Sequence, residues 1–153
     1  MAAHRSMESF YPGTDLEPDW EWARRFHGHL GPWLALGMRM GEEARKALQT
    51  RPHFGLRVHA QCPLQPPTSC LIDGLQWMTG ATFGKQNLTA APSDPIQVRF
   101  EAVDGSGAVT IRLREGVAER MTAWFDEMGD EAASYHVYGQ PADALFLVER
   151  RSG

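Results

Sequence analysis

Apolar residues recur at two periods along this chain, and the switches between them mark out helices and strands. Trp20, Trp22, Ala23 and Phe26, with Arg24 and Arg25 outside, predict a short helix. It opens around Asp15-Leu16-Glu17, with Pro18 in its first turn, and stops near His27-Gly28-His29. Pro32 opens a second helix through Leu48, where Trp33, Leu36, Met40, Ala44 and Ala47 keep close to helical spacing. Glu42, Glu43, Arg45 and Lys46 are assigned to its far, polar face. Leu56 to Gln61 alternates as a strand, with Leu56, Val58 and Ala60 on one side and Arg57, His59 and Gln61 on the other. Pro63, Pro66 and Pro67 end it. Thr68 or Ser69 caps a helix from Cys70 to Thr79, and Gly80 and Gly84 mark a loop. Ile96, Val98, Phe100 and Ala102, the turn Asp104-Gly105-Ser106-Gly107, and Val109, Ile111 and Leu113 predict a hairpin over 96–114. Val117 to Met128 reads as an amphipathic helix, Pro141 to Phe146 as a helical turn, and Phe146-Leu147-Val148 as a terminal strand. The expected fold is α+β: one domain over 1–153, helices on a small, mostly antiparallel sheet, with residues 1–14 as an N-terminal arm.

Composition narrows the function classes. The 153 residues are 42% hydrophobic, enough for one substantial core. Fifteen Lys and Arg against 19 Asp and Glu leave a formal net charge of −4, which argues against a general nucleic-acid binder. The uncharged run Phe26–Met38 is broken by Pro32 and is far short of the roughly 20 apolar residues of a membrane span. The opening MAAHRSMESFYPG has no apolar stretch typical of a secretory signal. Cys62 and Cys70 are too few for a disulfide scaffold. A cytoplasmic protein with reduced thiols is expected.

Charge is unevenly spread. Between Arg57 and Asp94 only Asp73 and Lys85 carry a formal charge, although 22% of the whole chain is charged. The segment is expected to be buried or to line a pocket, with both charges partnered. A second charge-poor run holds His27 and His29.

These stretches carry the candidate chemistry. Gly28 lets the backbone bend so that His27 and His29 can face one point, and imidazole is the commonest metal ligand. Cys70 stands at a predicted helix N-terminus, where the helix dipole and free N–H groups favour a thiolate. Asp73 follows one turn later on the same face. Two His and one Cys make a three-ligand zinc site with an open fourth position, and Asp73 is a further ligand or holds a ligating imidazole. Packing roles are the alternative for each: an HxH pair or one Cys in an apolar helix is often structural. Cys62 beside Pro63 reads as a packing residue, and His59 as a polar-face residue. His4, His53 and His136 have no assigned partner. The stretch Gly80-Ala81-Thr82-Phe83-Gly84-Lys85-Gln86-Asn87 fails as a phosphate loop: its glycines are one residue too close, and Gln86 replaces the Ser or Thr that meets magnesium. It reads as a tight turn with Lys85 in solvent, or as one presenting Lys85 to a pocket anion.

Two longer motifs carry a resemblance. Phe26-His27-Gly28-His29-Leu30-Gly31-Pro32, followed by Leu34-Ala35-Leu36-Gly37, resembles the N-terminal motif of the FmdE family, named for one of the subunits of formylmethanofuran dehydrogenase. Ser69-Cys70-Leu71-Ile72-Asp73-Gly74-Leu75-Gln76 and Thr79-Gly80-Ala81-Thr82-Phe83-Gly84-Lys85-Gln86-Asn87-Leu88 resemble its second motif. Pro141-Ala142-Asp143-Ala144-Leu145-Phe146 resembles the end of that family's core domain. The resemblance implies an α+β core, often dimeric, with a metal site built from the histidines of the first motif and the cysteine of the second. Many members carry a cysteine where this chain has Gly31, and many add a C-terminal four-cysteine zinc finger that is not expected here. Dehydrogenase activity is not implied, because the pterin chemistry belongs to other subunits.

The expectations are then specific. Cys70 and one or both of His27 and His29 are the expected metal ligands, and zinc or another divalent transition metal is the expected metal. Cys70, Asp73 and Lys85 are the catalytic or substrate-side candidates. A small molecule or anion sits at the open position, and the chain forms a homodimer without nucleic-acid or membrane partners. The rivals are a metal-free thiol enzyme or carrier using Cys70 with a histidine base, an accessory protein docking onto a larger redox complex through the Trp20–Trp22 segment, and a purely structural module.

Overall fold

The computed structural model describes residues 16–152, so the proposed arm 1–14 and His4 lie outside the described residues. Helix α1 spans Trp20–His27, and its cap is Asp19, whose carboxylate accepts from the Trp22 N–H at 3.4 Å. Pro18 therefore precedes the helix instead of sitting in its first turn, because the side-chain cap comes one residue later. Of the apolar residues of α1 only Ala23 is fully buried, while Trp22 and Phe26 are half exposed. Arg25 lies over the Trp22 ring, and Phe26 stacks on Trp77.

Helix α2, Pro32–Leu48, has the predicted limits: Pro32 takes the first position and Gly31 the extended cap. Its far face differs from expectation. Glu42 and Arg45 are buried, because α2 is enclosed on several sides instead of lying on the surface. Glu42 accepts from the Tyr138 hydroxyl and from Lys46 Nζ at 2.7 Å, and Arg45 donates to the Met78 carbonyl at 3.0 Å. Buried charge is tolerable only with such partners.

Strand β1 (Leu56–Gln61), helix α3 (Cys70–Thr79), and strands β2 (Leu88–Ala91), β3 (Gln97–Ala102) and β4 (Gly107–Leu113) follow. Then come helices α4 (Val117–Met128), α5 (Asp130–Tyr138) and α6 (Ala142–Leu145), and strand β5 (Phe146–Ser152). The sheet runs β2-β1-β3-β4-β5, parallel only between β1 and β2. The predicted hairpin is β3–β4, paired as Val98↔Ile111 and Phe100↔Val109. Strand β2 and helix α5 were not anticipated. Four residues, Leu-Thr-Ala-Ala, are too few for a period to register, and the apolar residues of α5 do not gather into a stripe.

One face of the sheet carries Val58, Ala60, Val98, Phe100 and Ile111, which pack with Leu36, Met40, Leu71 and Leu75 of α2 and α3 in the main core. The alternate positions Arg57, Gln61, Arg99 and Arg112 form the polar face, and His59 stands among them, bonded to Thr89 Oγ1 at 2.7 Å. Cys62 is buried in the core, as a packing residue should be. A smaller cluster of Ala23, Leu30, Leu34, Met38 and Met78 seats α1 against α2 and α3.

The charge-poor segment is only partly buried. Residues 63–67 are exposed, because this proline-rich loop keeps its backbone polar groups in water. Its two charges are partnered, as expected: Asp73 with a histidine and Lys85 with loop oxygens.

Candidate functional site

Glycines set the distance between the two motif helices. A Cβ on Gly37 of α2 would stand 2.0 Å from the Leu71 carbonyl oxygen, and one on Gly74 of α3 would stand 2.1 Å from the Leu34 carbonyl oxygen. Only backbone contact of this kind lets the two helices approach so closely, and any side chain at either position would force them apart. The N-terminal ends of both helices thereby meet beside the end of α1.

At that meeting point the two histidines come together. Gly28 caps α1 in the left-handed conformation, φ 106°, and turns the chain between them. The ring centroids are 4.9 Å apart and the planes are tilted by 39°. Asp73 Oδ2 lies 2.6 Å from His27 Nδ1, and the His27 side chain is only 9% exposed. His29 Nδ1 lies 2.8 Å from Asp130 Oδ2 and 3.0 Å from the Leu30 carbonyl. Carboxylates and carbonyls only accept, so in both rings Nδ1 carries the proton and donates. Nε2 is then the uncommitted nitrogen, and no hydrogen bond among the described residues occupies it in either ring. A carboxylate behind a histidine is the arrangement that orients metal-ligating imidazoles.

Cys70 shares their cavity but not the expected activation. Its own N–H donates to the Pro67 carbonyl, and those of Leu71 and Ile72 donate to the carbonyls of Thr68 and Ser69. The amides that open α3 are thus used by the preceding turn, and Ser69 makes no side-chain cap. Burial, reinforced by the negative charge of Asp73 and Asp130, pushes the Cys70 thiol above its ordinary pKa.

His27, His29 and Cys70 open on one cavity of about 300 Å³. Trp33 and Leu34 of α2 and Met121 and Phe125 of α4 give it apolar lining, and the carboxylates of Asp126 and Asp130 line it as well. The three donors fit a divalent transition metal in kind. Among the described residues, however, no group of three or more His, Cys, Asp or Glu side chains is gathered closely enough to enclose an ion.

Lys85 lies elsewhere. It follows the C-terminal end of α3, whose other end carries Cys70, and ten helical residues span about 15 Å. Its ammonium donates to the Gly80 carbonyl at 2.5 Å and to Thr82 Oγ1 at 3.1 Å, and it lies 5.4 Å from the centre of the Phe54 ring. Burial lowers its pKa. The surrounding amides are used internally: Thr82 donates to Asn87 Oδ1, Phe83 to Gln76 Oε1, and Lys85 to Thr82 Oγ1. The loop is a tight turn, as one of the two expectations had it, but its lysine is bonded inward instead of standing in solvent.

Asp130 and Asp126 are site residues that sequence reasoning missed. Asp130 opens α5, and the only available signal was an Asp-Glu pair after Gly129, a helix start with acidic residues in its first turn. His136 is held against the Trp124 ring at 4.6 Å, away from the cavity.

Comparisons with known proteins agree with this fold. Residues 26–144 match the model of a family described as FmdE, molybdenum formylmethanofuran dehydrogenase operon. A crystal structure of a tungsten formylmethanofuran dehydrogenase FmdE-like protein from Syntrophus aciditrophicus superposes with a TM-score of 0.59 and 22% sequence identity. The match covers 87% of this chain and 70% of that one. A probable S-adenosyl-L-methionine-binding protein from Archaeoglobus fulgidus is 36% identical over 67 residues. Those residues are 43% of this chain and 18% of the relative, so this chain spans less than a fifth of that protein's length.

Proposed function

Starting from a chain that belongs to the FmdE family, we propose a small metal-binding protein in which His27, His29 and Cys70 take a divalent transition metal, zinc first, at the head of an apolar cavity. The observation that carries this reading is the pair of carboxylates behind the pair of imidazoles: Asp73 on His27 and Asp130 on His29.

Each residue has a distinct task. Asp73 and Asp130 fix the tautomers, so that each ring offers the lone pair of Nε2. Asp73 does this from α3, one turn beyond Cys70, so the thiol and the His27 orienter share one rigid element. Trp33, Leu34, Met121 and Phe125 supply apolar surface to the same cavity. Bound at these donors, a metal would supply Lewis-acid polarisation of an atom of whatever molecule occupies the cavity. The thiol-enzyme alternative has less support, because a nucleophilic cysteine needs a lowered pKa and both carboxylates act on Cys70 in the opposite sense.

The test is metal content per chain, measured by mass spectrometry on untagged protein, for wild type, Cys70→Ala and His27→Ala. Close to one metal in wild type and little in either variant, with all three folded by circular dichroism, is the expected outcome. A folded wild type that takes up no zinc, nickel, copper or iron would overturn the reading.

A further inference from the structure

We propose that the cavity beside the histidines selects an organic cation, a small molecule with an apolar or aromatic body and an amine-type positive charge. The inference rests on the reading of this cavity as the binding site, and it names the class of molecule that the site admits.

Three observations carry it. The first is the sign of the walls. Asp126 and Asp130 line the cavity, and among the described residues no lysine or arginine does. The nearby guanidinium of Arg24 is taken up by Glu131, at 3.2 and 3.3 Å, and does not reach the cavity. An anion entering here meets carboxylates and finds no cationic side chain to receive it. The second is the apolar part of the lining. Trp33 and Phe125 bring aromatic rings to the lining, with Leu34 and Met121 beside them. Aromatic faces attract cations as well as apolar groups, so body and charge are both accommodated. The third is the His27 ring, more than nine-tenths buried, with Nδ1 committed to Asp73 and Nε2 without a partner among the described residues. An uncommitted ring nitrogen that opens on a cavity of about 300 Å³ is a polar anchor for a ligand, as small-molecule sites set a few polar groups in an apolar lining.

The charge preference does not need a bound metal. Asp126 lies on α4, and no hydrogen bond joins it to His27, His29 or Cys70.

The probes are phenylethylamine, phenylpropionate and phenylethanol, which share a ring and differ in charge. Binding to wild type and to Asp126→Asn is measured by isothermal titration calorimetry, with the protein treated with chelator and again with zinc added. In chelator-treated wild type the amine should bind at least about tenfold more tightly than the acid. Asp126→Asn should narrow that gap several-fold and leave phenylethanol unchanged. Equal or tighter binding of the acid to chelator-treated protein would overturn the proposal, as would no amine binding up to about 10 mM. Amine preference in a protein that takes up no metal would leave this inference standing while the metal reading fell. Metal uptake without amine preference would do the reverse.

Discussion

The two ends of helix α3 answer the same sequence signal in opposite ways. Asp73 and Lys85 are the lone charges of a long uncharged stretch, and both are partnered. At the first end the partner is His27, a ring whose second nitrogen has no hydrogen-bond partner among the described residues. At the other end the partners are the Gly80 carbonyl and Thr82 Oγ1, which close the turn that follows the helix. One charge orients a ring of the proposed site and the other closes a turn. Isolation of a charge shows that it needs a partner, and the nature of that partner decides its role.

Both ends depend on one helix contact, and disturbing it should have the largest effect. Gly74→Ala puts a Cβ 2.1 Å from the Leu34 carbonyl oxygen and 2.7 Å from the Met38 nitrogen, neither of which can yield without moving α2. A loss of about 3 kcal/mol is expected from overpacking of this severity, read as a fall in Tm on the order of 10 °C. An unchanged melting curve would mean that the two helices are not held as closely as the glycines imply.

The next effect separates the ends. Asp73→Asn removes the charge that orients His27 but keeps the shape, so metal affinity should fall about 10- to 100-fold in competition with a chromophoric chelator. Lys85→Met in the same assay should leave affinity where it was. Equal losses in both variants would erase the distinction between a site end and a structural end.

The smallest effect belongs to stability. Lys85→Met removes two partly shielded hydrogen bonds, worth about 1 kcal/mol together in urea denaturation. It should also change the alkaline limb. Burial holds the folded lysine below its ordinary value of 10.5. Between that lowered pKa and 10.5 the unfolded chain keeps a proton that the folded chain has released, so stability rises with pH across this window. The methionine variant should lose that rise, and a parallel profile in both proteins would count against the partial burial of Lys85.

Much of the frame was legible because its causes are local. Proline at the first position and a helical period set α2 over Pro32–Leu48, and alternation set the β3–β4 hairpin. The bend at Gly28 could be read from the only residue type that adopts φ 106° at no steric cost. Other features failed for equally physical reasons. A charged residue in a helical pattern is assigned to solvent by default, and Glu42 and Arg45 contradict this because Tyr138 and the Met78 carbonyl reach them from distant segments. The expected thiolate at Cys70 assumed free amides at the start of α3, and the loop before it had already used them.

Local chemistry along the chain specifies most of the elements and the set of donors His27, His29, Cys70 and Asp73, since each follows from side-chain size, period or chemical type within a few residues. Which of them meet is settled by long-range packing alone. Asp73 finds His27 across 46 positions and Asp130 finds His29 across 101, while Lys85, only 15 residues from Cys70, is carried to the opposite end of a rigid helix. Proximity in a folded chain is set by which apolar faces must be buried together, and separation along the sequence carries no measure of it.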